Sequence, residues 1–449
     1  MKTFAERLAS LHSDHRRIAQ GAARVAFFLL LGKAAGAVKE MAVAYRYGVS
    51  SVVDAYQFTL TMANWLPITL VGALSVVLIP VLVRTRYEDS AIRARFLSEL
   101  QAWALVVGLV LAVVIYFGWP YVLQVAGRGL PGDVRVMSSQ LTLAFAPAAL
   151  LTLMTGISAA RLRAHERHIN TLLDSVPAVA ILIWVLASSV DDVGPLLWGT
   201  LVGYSIQSAW LLWLASRADG MWGRPIFSLQ SGHWPDLVKA AGIMVLGQVA
   251  MSFVGPIDQY TAANLGANAN ATLGYAARLL SLVLGIGAAS VGRAALPVLA
   301  DIQGRGDVAH ARRTALKWSA LMLLTGAAVT LVGWFLAPWG VELLFQRGAF
   351  TAENTATVAH VLRWGLLQLP FYFGVLILVQ LLASQNRYRI MASIAIANFA
   401  LKAVMNTVLA PVMGVAGIML ATSVMYALSY TCYVVVALRV APDARRRSS

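Results

Sequence analysis

Residues 98–119 read SELQAWALVVGLVLAVVIYFGW, and stretches of this kind decide the fold. A helix of this length rises about 33 Å, close to the thickness of a bilayer's hydrocarbon core. Similar apolar blocks recur along the chain, separated by short basic stretches. The expected spans are 21–45, 53–83, 98–119, 137–160, 170–190, 195–215, 236–264, 270–300, 316–338, 357–383, 390–411 and 414–438. Inside hydrocarbon only a helix or a closed barrel satisfies its own backbone. The ten-residue alternation of a membrane barrel is absent. The chain therefore reads as an all-α polytopic membrane protein with about twelve transmembrane helices.

Composition agrees: 59% of the 449 residues are hydrophobic and 12% charged, too few charges to cover a soluble domain of this size. Cys432 is the only cysteine, so no intrachain disulfide is expected. His165 and His168 in the basic loop AHERHI are the nearest approach to metal-ligand spacing. A plain loop is the better reading, and neither metal nor cofactor is expected. Residues 1–20 are polar and basic, unlike a cleavable signal peptide.

Lysine and arginine alternate between the two sides of the spans. Of the 35, 22 fall on the N-terminus, the even-numbered connections and the C-terminus, against four (Arg46, Arg128, Arg135 and Arg347) on the other side. The positive-inside rule then puts both termini in the cytoplasm. This accounts for most of the +15 charge and removes the need for a nucleic-acid partner. The remaining nine (Arg24, Lys33, Lys39, Lys239, Arg278, Arg293, Lys317, Arg363 and Lys402) lie in or near apolar spans. Arg24, Lys239 and Lys317 are close enough to span ends to snorkel. Lys33, Lys39 and Arg278 stand out, because a charge near the bilayer centre costs roughly 2.5–3.5 kcal/mol and usually faces water or a partner.

The second half of the chain echoes the first. GALSVVLIPVLVRTR (72–86) parallels AASVGRAALPVLADIQ (288–303), Trp103 parallels Trp318, Pro147 parallels Pro370, and AHERH (164–168) parallels SQNRY (384–388). The order is kept while the offset drifts from about 215 to 223 residues. Two parallel six-helix lobes, 1–215 and 236–449, are expected around a central cavity, with 216–235 as a cytoplasmic linker.

Residues 32–55, GKAAGAVKEMAVAYRYGVSSVVDA, form an odd membrane helix. Lys33 and Glu40 are seven apart and share a face, with Lys39 about 120° away. Gly32 and Gly36 offer either a bend that would bring both lysines to one cavity or a GxxxG packing face. This stretch resembles the opening of the MurJ/MviN family of lipid II flippases, in the multidrug/oligosaccharidyl-lipid/polysaccharide exporter superfamily. The family's pattern of a basic residue, a Gly, a basic–acidic pair, a further Gly and an Asp-Ala falls on Lys33, Gly36, Lys39, Glu40, Gly48, Asp54 and Ala55. The resemblance runs on through GALSVVLIPVL (72–82), YAARL (275–279), LPVLAD (296–301) and LLFQRGAFTAENT (343–355). It implies that Lys33, Lys39 and Arg278 bind substrate and that Asp54 matches the family's early aspartate.

The expected function is a flippase, not an enzyme, carrying an undecaprenyl-pyrophosphate-linked oligosaccharide from the cytoplasmic to the periplasmic leaflet of a bacterial inner membrane. Alternating access would move the headgroup while the polyprenyl tail stays in lipid. Lys33, Lys39 and Arg278 would hold the pyrophosphate, and Glu40 and Asp54 would orient the lysines or break their grip. Asp258, after Pro256, is the candidate for ion or proton coupling, with a helix-distorting structural acid as the equal alternative. The resemblance departs from the family where lysines replace arginines and where Leu66-Pro67 occupies the place of a second-helix arginine. The twelve spans also lack two further helices usual in the family's lipid II flippases. These departures point to an exopolysaccharide repeat unit as cargo, with lipid II as the alternative. A multidrug antiporter would favour an acidic cavity. A membrane polysaccharide polymerase or ligase would need acid–base residues on a sizeable outer loop, and the longest here are about 17–18 residues (120–136 and 339–356). The expected partners are the lipid-linked glycan, membrane lipids and other glycan-assembly proteins, with the chain itself a monomer.

Overall fold

The computed structural model describes residues 13–167, 169–190, 192–222, 224–304, 308–385 and 387–439. His168, Lys2, Arg7, Arg305, Arg445, Arg446 and Arg447 lie outside them. Among the described residues the regular structure is helical: α1 (Ser13–Tyr47), α2 (Ser51–Thr85), α3 (Ser90–Val125), α4 (Gly132–Ala164), α5 (Asn170–Leu173), α6 (Val176–Ala187), α7 (Gly194–Asp219), α8 (Trp234–Ser252), α9 (Val254–Ala263), α10 (Ala269–Gly304), α11 (Val308–Phe345), α12 (Ala352–Leu366), α13 (Leu369–Ser384), α14 (Tyr388–Met413) and α15 (Val415–Arg439). Each expected span falls on one helix or on one interrupted pair. Eight of the resulting segments are long and apolar enough to cross a membrane by length and composition.

Three spans are interrupted, and proline explains each break. A proline lacks the N–H that bonds back to residue i−4, and its ring collides with that residue's carbonyl. α5 ends at Leu173, four before Pro177; α8 ends at Ser252, four before Pro256; α12 ends at Leu366, four before Pro370. Other prolines, among them Pro67, Pro80, Pro120, Pro338 and Pro411, sit inside continuous helices.

The outside of these helices is greasy. Val110, Val114 and Phe117 on α3, and Leu324, Leu331 and Phe335 on α11, are exposed. Such rows suit hydrocarbon rather than water. Within their most apolar windows α3 buries 22% and α4 72% of residues, so α4 is interior and α3 faces lipid along most of its length.

The chain divides into two compact units. Unit 1 comprises Met1–Arg46, Thr59–Leu123 and Val136–Val249; unit 2 comprises Tyr47–Phe58, Gln124–Arg135 and Ala250–Ser449. Each unit is assembled from several separate stretches of sequence. In unit 1 one core joins Leu78, Leu82, Phe96, Leu100, Met154 and Ile157. In unit 2 a core joins Ala315, Leu378, Leu381, Leu382, Ile394 and Tyr433. Repeat partners have matching lengths: α2 and α10 run for 35 and 36 residues, α3 and α11 for 36 and 38.

Unit 1 holds the stretch expected as a linker, and one buried carboxylate organises it. Glu99 is fully buried on α3. It accepts from Ser228 Oγ at 2.5 Å, Trp234 Nε1 at 2.7 Å, and the Gln230 and Ser231 backbone N–H groups at 3.2 Å each. Trp103 Nε1 donates to the Ser228 carbonyl at 3.0 Å. The 226–234 stretch is therefore fastened along α3. Glu99→Ala orphans several buried donors and is expected to cost about 1–3 kcal/mol. This would be measured as a lower thermal midpoint in detergent, with new proteolytic cleavage within 226–233.

Candidate functional site

α1 carries the first candidates. Lys33 is half-buried and forms no ion pair with another described residue. Lys39 and Glu40 are both about 5% exposed, and Lys39 Nζ lies 2.5 Å from Glu40 Oε1. The glutamate expected to share a face with Lys33 thus neutralises its sequence neighbour. α1 is helical through both glycines. A Cβ at Gly36 would meet nothing within 4 Å, and one at Gly32 would make only ordinary contact with Thr171 and Ser175. Gly36 therefore does not serve a close helix–helix contact. Where α1 ends, Arg46 donates to the carbonyls of Val185 at 2.6 Å, Val190 at 2.8 Å, and Ser188. The Val185 and Ser188 carbonyls lie at the end of α6, where a guanidinium suits the negative end of the helix, and Val190 follows just beyond it.

Asp54 opens α2 and belongs to unit 2. Its Oδ1 accepts from the Ala271 N–H at 2.7 Å and its Oδ2 from the Asn268 N–H at 3.0 Å. It therefore caps the N-terminus of α10 from a segment more than 200 residues away, supplying both an acceptor and a negative charge to unpaired amides. Around this cap the chain fits closely. Tyr275 on α10 donates to the Gly48 carbonyl at 2.9 Å, and its ring packs against Phe345 and Phe350. Gly48 has φ +56°, and a side chain there would collide with the Ala349 carbonyl. Gly129 is similarly pressed against Ala263 and Asn264. Arg278, one turn beyond Tyr275, is half-buried. Asp54 fixes the first turn of the helix that carries it.

Unit 2 also contains a charge pair that was not singled out from the sequence. Lys402, at the middle of α14, is fully buried, and its Nζ lies 2.8 Å from Asp258 Oδ1. Asp258 follows Pro256 on α9. Lys402 sits at the centre of its apolar span, too far from either end to snorkel, and that position was a readable signal. Of the other in-span cations, Lys239 and Lys317 are exposed, as expected of snorkelling side chains. Arg363 donates to the Trp334 carbonyl at 2.9 Å. His165 does not approach a metal arrangement: it pairs with Asp219 at 2.7 Å, which Arg161 also holds at 2.7 Å.

The described residues thus place Lys33, Lys39 and Glu40 in unit 1, and Asp54, Asp258 and Arg278 in unit 2. Lys39–Glu40 and Asp258–Lys402 are brought together as pairs, and Asp54 is committed to backbone amides.

The family profile described as "Lipid II flippase MurJ" matches residues 43–443. A protein of Synechocystis sp. named "Probable lipid II flippase MurJ" is 26% identical over 439 residues, covering 93% of this chain and 81% of that one. A solved structure of lipid II flippase MurJ in an inward closed conformation superposes with TM-score 0.78 at 19% identity, covering 93% of this chain and 87% of that one. An inward-facing multidrug resistance MATE family transporter of the MOP superfamily gives TM-score 0.72 at 14% identity, with 90% and 94% covered. At these identities the two structures speak to the fold.

Losing the cap on α10 is expected to be measurable. Asp54→Ala should cost about 1–2 kcal/mol, seen as a lower thermal midpoint. Asp54→Asn keeps one acceptor oxygen and should recover part of the loss.

Proposed function

This chain belongs to the MurJ family of the MOP superfamily, and from that membership we propose that it flips a polyprenyl-pyrophosphate-linked glycan across the bacterial inner membrane, with lipid II as cargo. The single observation that carries the reading is the match to the family profile over residues 43–443. The named relative adds to it over nearly the whole chain. In this reading both termini are cytoplasmic and the lobes 1–215 and 236–449 are the moving parts of an alternating-access cycle, with 216–235 joining them.

The chemical problem is a sugar-pyrophosphate headgroup crossing hydrocarbon. Lys33, Lys39 and Arg278 supply the counter-charge. Arg278 offers a planar fork to phosphate oxygens, while the lysines act as point charges. Glu40, already paired with Lys39 at 2.5 Å, sets how tightly that lysine holds the anion. Asp54 acts through position, by holding the start of α10 below Arg278. An inside-negative potential favours outward movement of the dianion by roughly 2.3 kcal/mol per charge per 100 mV, enough to drive export without ATP.

A second reading, an exopolysaccharide repeat unit on the same polyprenyl carrier, is favoured by the lysines at 33 and 39 and by Leu66-Pro67 where the family's pattern has a second-helix arginine. Both cargoes present the same pyrophosphate, so the cations serve either; the sugar distinguishes them.

Flux of fluorescent lipid II in proteoliposomes tests the proposal, with an undecaprenyl-pyrophosphate exopolysaccharide unit as the second arm. Each of Lys33→Ala, Lys39→Ala and Arg278→Ala removes a charged contact worth about 1.5–3 kcal/mol and should slow flux about tenfold or more. Lys39→Arg should retain most of it. Full flux in all three alanine variants would sink the assignment, and flux of the exopolysaccharide unit alone would select the second reading.

A further inference from the structure

The Lys402–Asp258 pair is more than one ion pair, because two other helices, α9 and α15, deliver oxygen atoms to the same α14 ammonium. Lys402 Nζ donates to Asp258 Oδ1 at 2.8 Å, to the Ile418 carbonyl at 2.7 Å and to Thr422 Oγ1 at 2.7 Å. An ammonium has three N–H groups, and here each has an oxygen. Around them, Asn406 Nδ2 bridges Asp258 Oδ1 at 2.9 Å and Thr261 Oγ1 at 3.1 Å. Asn406 Oδ1 is buried with no partner among the described residues. The participants come in helical pairs: the acceptors Asp258 and Thr261 on α9, the donors Lys402 and Asn406 on α14, and the acceptors Ile418 and Thr422 on α15. Residues three or four apart share a face, so the convergence is built into the register of each helix.

Oxygen-only surroundings are the chemistry of hard cations. Of the oxygens gathered here, one belongs to a carboxylate and the rest are neutral, which balances one positive charge and would leave a divalent ion uncompensated. We propose that this cage is a monovalent-cation site with a built-in occupant: the Lys402 ammonium stands where a sodium or potassium ion would otherwise sit. Asp258 is then neutralised without any ion from solution. The side chain is tethered to α14 by its own covalent stem, so its effective concentration at the site does not vary with the salt outside. Asp258 is accordingly a fixed structural charge rather than the port through which an external cation drives the cycle. This rests on the cage alone and holds whatever cargo the protein carries.

Thermal unfolding of the purified full chain in detergent tests it, in sodium, potassium or choline chloride at constant ionic strength. The parent chain should show one midpoint in all three salts. Lys402→Ala opens space beside an uncompensated Asp258. Its midpoint should drop in choline and climb with the concentration of sodium or potassium, as for any ligand that binds only the folded state. Adding Asp258→Asn to Lys402→Ala should abolish that dependence. A parent chain stabilised by an alkali cation over choline, with the effect lost in Asp258→Asn, would overturn the proposal. So would a folded Lys402→Ala variant with the same midpoint in all three salts. If Lys402→Ala folds in none of them while Lys402→Met/Asp258→Asn does fold, alkali cations do not replace the ammonium and the proposal fails.

Discussion

A charge held inside hydrocarbon has no water to stabilise it, so it must find an opposite charge or a set of oriented dipoles within the protein. Much of what is specific in this structure follows from that constraint. Lys39 lies against Glu40, and Lys402 against Asp258 with two further oxygens. Just outside the apolar span of α1, Arg46 places its guanidinium on the Val185 and Ser188 carbonyls at the end of α6. Asp54 spends its carboxylate on the amides that begin α10. Two of these solutions pair side chains and two pair a side chain with a helix end; all but the Lys39–Glu40 pair, which lies within α1, also fasten one helix to another.

This fastening links fold and function. Asp54 seats the first turn of α10, and the position of Arg278 further along that helix depends on it. The Tyr275 bond to Gly48 and the close approach of Ala349 hold the same corner of unit 2. In unit 1, Glu99 does for the 226–234 stretch what Asp54 does for α10: one buried carboxylate gathers several donors that would otherwise be orphaned. Lys33, by contrast, has no ion pair among the described residues. A cation left unshared in this way can meet an anion from outside, whereas Lys402, with each N–H committed, cannot.

How much of this was legible beforehand differs from residue to residue. The spans were legible because about 20 consecutive apolar residues have one stable fate in a bilayer. The breaks in three of them were legible in principle, since each falls four residues before a proline, but prolines such as Pro67 and Pro120 leave their helices continuous. Which prolines interrupt is decided by packing. Asp54 was expected to orient lysines and instead caps a helix far along the chain; no local pattern announces a carboxylate whose partners are backbone amides 214 and 217 residues away. Lys402 is legible as an in-span cation, but nothing local to it sets it apart, whereas Lys33 and Lys39 also carry the family pattern.

By itself, the sequence determined the solvent and the secondary structure: blocks of apolar residues require a bilayer, and a bilayer requires helices. It also determined the family, because ordered motifs along the whole chain survive where overall identity is low. Only the tertiary structure decided which charge answers which. Asp258 and Lys402 are 144 positions apart, and nothing local to either says that the two meet. Compensation of buried charge is a property of contacts between helices, set when the helices pack. The sequence places a charge in the bilayer, and the packing decides whether that charge is already spent or still available to a passing anion.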